Sequence, residues 1–194
     1  MQAGAERMIH ALKQLEAAFL IGVEGTTEVW LVRHADCYEG MEDGDDPALS
    51  RLGRSQAARL AERMKRLQPV AVYCSPARRA METAAAITDD ARVDARLREM
   101  TFELGEAGEI NFTEKPEDVV ARMGAAVDEI VAAHEGGRVV VVSHAGSILN
   151  YVCDVLRLEA GTLRILPYFT SVSVVRALGD RKMVGALGDT SHLE

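Results

Sequence analysis

A chain of 194 residues, 48% hydrophobic and 27% charged, has the length and make-up of one soluble globular domain. Its net charge of −8 argues against nucleic acid as a partner, because non-specific binding there rests on basic side chains that neutralise phosphates. No apolar run reaches the length of a membrane span, and the start lacks the basic, apolar and small-residue blocks of a secretory signal, so the expectation is a cytoplasmic protein with no membrane partner. The three cysteines, Cys37, Cys74 and Cys153, form neither a CxxC pair nor a zinc pattern, and their odd number fits a reducing compartment. Cys74 and Cys153 lie among apolar residues and read as core positions. Cys37 reads either as a reactive thiol or as a bystander in a loop.

Residues 4 to 21 have Met8, Leu12, Leu15 and Phe19 at helical spacing, with Ile9 and Leu20 beside them. This helix belongs to an extension over residues 1 to 25. It is either a packing helix or a dimer contact, which leaves monomer and homodimer both open. Gly22 and Gly25 break it. The stretch Thr27 to Asp36 follows, TEVWLVRHAD. Val29 to Val32 is an apolar run of strand formers, and Arg33-His34 ends it. Open α/β sheets bind ligands where such strands end. An Arg and a His there point to an anion and a nucleophile, against the plainer reading of two solvated residues. The next loop carries six carboxylates, Asp36, Glu39, Glu42, Asp43, Asp45 and Asp46.

Ser50 reads as the N-cap of a helix to about Leu67, with Leu52, Gln56, Leu60, Met64 and Leu67 on one face. Val70 to Cys74 is a second short strand. Ser75-Pro76 reads as N-cap and first position of a helix to about Thr88, with Arg79 in its first turn and Thr83 one turn on. Asp94 to Glu103 is extended or turn-like and holds Glu99; the stretch after it is irregular. A helix spans Pro116 to about Glu135, and Gly136-Gly137 stop it. Arg138 to Val142, RVVVV, is the clearest buried strand and ends in Ser143-His144-Ala145-Gly146. A helix from Ser147 to Leu158 follows, and Thr170 to Leu178 pairs with Lys182 to Leu187 as a hairpin. Strands alternating with helices predict a single α/β domain over residues 1 to 194. It is a three-layer α/β/α sandwich with a mostly parallel central sheet, an extra N-terminal helix and a C-terminal hairpin.

In such a sheet His34, Arg79 and His144 all lie on the carboxyl edge. Helix starts at the last two add N–H groups and partial positive charge. With Arg33, this is a pocket for a tetrahedral dianion.

The chain resembles the histidine phosphatase superfamily, also called the phosphoglycerate mutase-like family. The resemblance covers about residue 27 to the end. It is carried by Leu31-Val32-Arg33-His34-Ala35, by Ala48-Leu49-Ser50 through Gln56-Ala57, and by the element from Ser75 to Ala84. Leu97-Arg98-Glu99 and Val141-Val142-Ser143-His144-Ala145-Gly146 complete it, and the tail segments Thr170-Ser171-Val172 and Ser191-His192-Leu193 look like family members. It implies a phosphomonoester hydrolase for a small phosphorylated metabolite. His34 would be the nucleophile that becomes a phosphohistidine, Arg33 and Arg79 would clamp the phosphoryl oxygens, and His144 would donate to the same group. Ala145 joins the substrate-binding residues. Glu99 would act as acid and base, with Glu103 the competing carboxylate, while Thr83 and Ser147 support the pocket. No metal or other cofactor is implied, since the arginines supply positive charge. Ala35 and Ala145 stand where the family pattern has Gly, and an alanine suits those places only without positive φ. The acidic loop, with no Asn and no Trp, and the short segment after Glu99 favour a phosphatase over a mutase. A non-catalytic phosphate-recognition module and a protein phosphohistidine phosphatase are the other readings; Glu99 speaks against the second.

Overall fold

In the computed structural model, which describes residues 2–39 and 44–194 and side chains from residue 4 onward, a six-stranded sheet forms the middle layer. The elements run α1 (Gln2–Ala18), β1 (Thr27–Arg33), α2 (Arg51–Leu67), β2 (Ala71–Cys74), α3 (Arg78–Ala85), β3 (Arg92–Val93), β4 (Phe102–Leu104), β5 (Ile110–Phe112), α4 (Pro116–Ala133), β6 (Arg138–Ser143), α5 (Ala145–Val155), β7 (Val172–Leu178) and β8 (Arg181–Asp189). Strand order is β3-β2-β6-β1-β7-β8. The pairs β3–β2, β2–β6 and β6–β1 are parallel; β1–β7 and β7–β8 are antiparallel.

The apolar runs of β1 and β6 are continuous because both faces of the sheet are covered. Val29, Leu31, Val139 and Val141 pack on one side against Met123, Val127 and Ile130 of α4 and Ile148, Tyr151 and Val152 of α5. Val32, Val140 and Val142 pack on the other against Leu60 and Met64 of α2 and Ala80 and Ala84 of α3. Helix periodicity misplaces a few side chains. Leu52 and Leu156 are exposed, whereas Tyr151 is buried. Val70 is exposed too and lies just outside β2.

Helix α1 is held at its end by Arg181, which donates to Ala18 O at 3.0 Å, but its apolar stripe is uncovered. Met8, Ile9, Leu12, Leu15 and Phe19 are all more than half exposed, and the first buried residue, Leu20, follows the helix. No helix among the described residues is long and apolar enough to cross a membrane. The irregular stretch after Glu99 contains a feature that periodicity does not reveal: β4 and β5 form a separate two-stranded hairpin of three residues each. Such short strands give too few positions for a pattern to register.

The described ends of the acidic loop are tied down. Asp36 is buried and accepts from the Ser50 hydroxyl, Glu39 accepts from Arg51 N at the start of α2, and Asp46 accepts from Arg78 N at the start of α3. Asp45 is exposed. Glu42 and Asp43 lie outside the described residues. The loop leaves β1 so close to α2 that only glycine fits at position 53: a Cβ there would stand 2.0 Å from the Asp36 carbonyl oxygen. Gly53→Ala is therefore expected to cost about 1–3 kcal/mol in denaturant unfolding, the range for overpacking. Gly4→Ala, with nothing within 4 Å, serves as the neutral control; equal stability of the two variants would refute this close approach.

Candidate active site

Register assembles the site. Arg33 pairs with Ser143, and Val142 pairs with both Val32 and Cys74. The residues that follow, His34, His144 and Ser75, thus leave three adjacent strand ends side by side, with His144 in the middle. Backbone bonds from His34 N to Ser143 O (2.9 Å) and from Ser75 N to Val142 O (2.9 Å) carry the ladder just past the strands.

The two imidazoles are 5.1 Å apart between ring centroids and are bridged by one guanidinium. Arg79 donates Nε to His34 Nε2 at 3.3 Å and Nη2 to His144 Nδ1 at 3.2 Å. His34 Nδ1 donates to the carbonyl of Ala35 at 2.8 Å. That bond fixes the ring proton on Nδ1 and leaves the lone pair of Nε2 facing the site. On His144 the proton belongs on Nε2, which meets the Ser75 hydroxyl at 2.7 Å. Burial, then the positive charges of Arg79 and Arg33, push the His34 pKa down to about 3. His144, fully buried, is also held well below its ordinary value by desolvation and by His34 and Arg79. Both rings are neutral near pH 7.

Arg33 is fixed from the other side. Its guanidinium lies over the Phe169 ring at 3.9 Å and donates Nη1 to Pro167 O at 2.8 Å. Burial lowers its pKa, offset in part by Tyr38 and Glu99; it remains a cation. Its Nε is buried without a partner. Thr170, buried at φ 57°, donates its N–H to Arg33 O at 3.0 Å, and its Oγ1 meets His192 Nε2 at 3.0 Å.

Glu99 reaches the same edge by resting on the first turn of α5. Its Oε1 accepts from Met100 N at 2.9 Å and Ser147 N at 3.0 Å, and its Oε2 accepts from Gly146 N at 3.3 Å. Glycine at 146 permits this, since a Cβ would stand 2.9 Å from Glu99 Oε1. Glu103 lies on exposed β4 opposite Asn111. Thr83 supports the loop after His34: its Oγ1 accepts from Ala35 N at 3.0 Å.

Two sequence expectations need correction. Ser75 is not the N-cap of α3, which starts at Arg78: its Oγ accepts from Ala77 N at 3.3 Å, just ahead of the helix, and meets His144, while Asp46 from the acidic loop takes the Arg78 N–H. Nor are the helix starts open for an anion, because Glu99 holds the N–H groups of Gly146 and Ser147. The anion site is therefore built mainly from side chains. Ala145, the first residue of α5, can offer an anion only its backbone N–H. Ala35 and Ala145 are not among the positive-φ residues, so alanine costs nothing there. Cys37 is buried and its thiol pKa is raised by desolvation, which leaves the bystander reading. Among the described residues no group of three or more His, Cys, Asp or Glu is placed to hold a metal ion.

Sequence reading misses Tyr38 and Phe169, and gives Thr170 only as the start of a strand in a family-like tail. Phe169 and Thr170 lie outside any helix, and their role rests on contacts with β1 more than 130 residues away in the chain. The buried Oγ of Ser171, beside them, has no partner.

Comparison with known proteins agrees with this geometry. The model of the histidine phosphatase superfamily (branch 1) matches residues 29–109 and 103–190. Phosphoglycerate mutase-like protein 4 of Arabidopsis thaliana is 31% identical over 86% of this chain and 87% of its own, and the probable phosphoglycerate mutase GpmB of Erwinia tasmaniensis is 26% identical over 86% and 95%. Among solved structures, Bacillus stearothermophilus YhfR superposes with a TM-score of 0.73 at 27% identity, covering 87% of this chain and 100% of that one. A mycobacterial glucosyl-3-phosphoglycerate phosphatase does so with 0.70 at 25%, covering 84% and 99%. The phosphoserine phosphatase of Entamoeba histolytica, at 18% identity and a TM-score of 0.74 over 87% and 100%, shares the fold. Strand-end histidines set in register on a mostly parallel sheet, and a family match over most of the chain, lead to one conclusion: this protein belongs to the histidine phosphatase superfamily.

Proposed function

We propose that the chain is a phosphomonoester hydrolase that works through a phosphohistidine on His34. The observation that carries this reading is the unprotonated Nε2 of His34, aimed at the space where Arg79, Arg33 and His144 converge. Imidazole attacks phosphorus only when neutral, and burial beside two guanidinium groups keeps it so.

The steps balance as follows. A phosphate monoester draws Arg79 off the two rings and onto its own oxygens, and the free Nε of Arg33 supplies a further donor. The Ser75 hydroxyl can accept or donate, so His144 can move its ring proton from Nε2 to Nδ1 and give it to a phosphoryl oxygen as a hydrogen bond. The Nε2 lone pair of His34 forms the P–N bond, the P–O ester bond breaks, and its electron pair leaves on the alkoxide. Glu99 enters the step carrying a proton on Oε2 and gives it to that oxygen. Water then attacks phosphorus, Glu99 takes its proton, and the P–N electrons return to His34 as inorganic phosphate departs. Positioning and charge stabilisation carry most of such a reaction.

Hydrolysis is preferred over mutase chemistry for two reasons. Asp46 Oδ1 stands 3.7 Å from Arg79 Nη1 and disfavours a second anionic group at this point. The segment between Glu99 and α4 builds only the small β4–β5 hairpin as cover, which leaves water free to enter. The glucosyl-3-phosphoglycerate phosphatase neighbour supports the hydrolase reading; the names of the two curated relatives favour the mutase one. The class of substrate expected is a small monoester with a neutral or cationic leaving group.

Phosphate release should be measured across sugar phosphates, phosphoglycerates, nucleotides and phosphopeptides, beside interconversion of 2- and 3-phosphoglycerate. Release is expected to be the faster reaction and to fall at least about 10³-fold in His34→Ala. Faster interconversion would make the protein a mutase, and a fully active His34→Ala would remove the nucleophile.

The neutral histidines also predict a pH dependence of stability. In the unfolded chain each takes up a proton below its ordinary value of 6.5, whereas the native rings do not. The unfolded state then binds more protons, so stability falls as pH drops below 6.5. The slope contributed by His34 approaches about 1.4 kcal/mol per pH unit. His134 and His192 are lowered as well and act with the same sign, so the difference between proteins is the readout. Urea unfolding between about pH 7 and pH 5, above the carboxylate range, should show a shallower loss in His34→Asn than in the parent. Identical slopes would mean that His34 is not buried neutral.

A further inference from the structure

Glu99 follows a three-residue turn of 3₁₀ helix, Ala95–Leu97, and precedes β4, so the backbone around it has no ladder of its own. Irregular backbone must find partners for its N–H and C=O groups elsewhere. Here side chains from three other elements supply them. Arg122, on α4, donates Nη1 to the carbonyls of Arg96 (2.7 Å) and Arg98 (2.8 Å) and Nη2 to Ser147 Oγ (3.2 Å). Ser147 Oγ, on α5, donates to Arg98 O at 2.6 Å, and Ser143 Oγ, at the end of β6, donates to Leu97 O at 2.8 Å. Glu114, two residues before α4, accepts from Thr101 N at 3.2 Å on the far side of Glu99.

Glu114 and Arg122 are themselves locked together. Arg122 Nε donates to Glu114 Oε1 at 2.8 Å, and Arg98 adds a two-pronged contact to the same carboxylate at 2.7 and 2.8 Å. Their side chains are 8% and 12% exposed. Hydrogen bonds from Arg122 and then Arg98 hold the Glu114 pKa at about 2, so the cluster stays ionised wherever the protein works. Neither Arg122 nor Glu114 hydrogen-bonds to His34, Arg79 or His144 among the described residues. A buried ion pair is a costly way to gain stability alone.

We propose that Arg122 and Glu114 are positioning residues for proton transfer: they hold residues 96 to 101 so that the Glu99 carboxylate rests on the first turn of α5 at the catalytic edge. This rests on the reading of Glu99 as the acid. A fork is required, because one guanidinium spans two carbonyls, a carboxylate and a hydroxyl at once. A lysine keeps the charge but cannot make those contacts together.

The test uses the dependence of kcat/KM on the leaving group, since kcat/KM reports steps up to the first irreversible one. An aryl ester such as p-nitrophenyl phosphate leaves without help, whereas alkyl esters need the acid. General acids contribute roughly 10²–10⁴-fold. Arg122→Lys and Glu114→Gln are expected to lose about 10²-fold on alkyl esters and less than about threefold on p-nitrophenyl phosphate, with Glu99→Gln showing the same split at larger size. Arg98→Lys, at a half-exposed side chain, breaks the two-pronged contact to Glu114 and leaves the Arg122–Glu114 pair whole, so it is the variant to rely on if the other two do not fold; it should show the split in smaller measure. Equal losses on both ester classes, or none on either in folded protein, would overturn the proposal. A split in Glu99→Gln without one in the other variants refutes the positioning role alone. No split in Glu99→Gln removes the acid assignment, and the proposal with it.

Discussion

Strand β6 enters the sheet late in the chain yet lies between β2 and β1, and its register decides the site. Val142 sits beside Cys74 on one neighbour and Val32 on the other, so β6 and β1 end at one level, at Ser143 and Arg33, and β2 ends one residue before them. The first residue past each end is Ser75, His144 and His34. A slip of one residue would turn every β6 side chain to the opposite face and break both halves of the core. The same valines that hold the sheet together thereby set the spacing of the two imidazoles. Stability and function share this constraint, which is why a polar cluster can persist on the edge of so apolar a strand.

What the edge then does is an electrostatic matter. Two buried histidines share the guanidinium of Arg79 and feel the charge of Arg33, and among the described residues no carboxylate hydrogen-bonds to either ring. Burial and positive charge act in the same direction on the imidazoles and leave them neutral. The arginines keep their charge and hold it ready for an anion. One guanidinium, Arg79, touches both rings, and in the proposed reaction phosphoryl oxygens take over that place. Glu99, the acid of the proposed reaction, is kept apart from this cationic group by being seated on α5, on a loop whose carbonyls Arg122 of α4 holds.

Much of this was legible in the sequence, and the reason is physical. The runs VWLV and RVVVV are apolar throughout because both faces of their strands are covered, and each ends in a histidine. Position in the chain alone therefore places His34 and His144 on the carboxyl edge. Arg79 follows from the same rule one strand over. The misses are the cases in which a distant contact outcompetes a local preference. Ser75 has the residue type and setting of an N-cap, but its hydroxyl is shared between Ala77 N and the imidazole of His144, and the helix starts later, at Arg78, where Asp46 arrives from another loop to serve it. The β4–β5 hairpin is too short to show a period. The seating of Glu99 depends on Arg122 and Glu114, whose separation in sequence corresponds to no local motif. The exposed apolar stripe of α1 shows the converse: periodicity identifies a helix correctly without saying what it packs against.

The central claim is that His34 carries the phosphoryl group between ester and water. Rapid mixing with an aryl phosphate, quenching in base and mapping the modified peptide by mass spectrometry tests it directly, because phosphohistidine survives base and is lost in acid. A phosphoryl group on the peptide that contains His34, formed and discharged at the rate of turnover, is the predicted result. Phosphate release without any such species, or a phosphoryl group on another residue, would contradict the account.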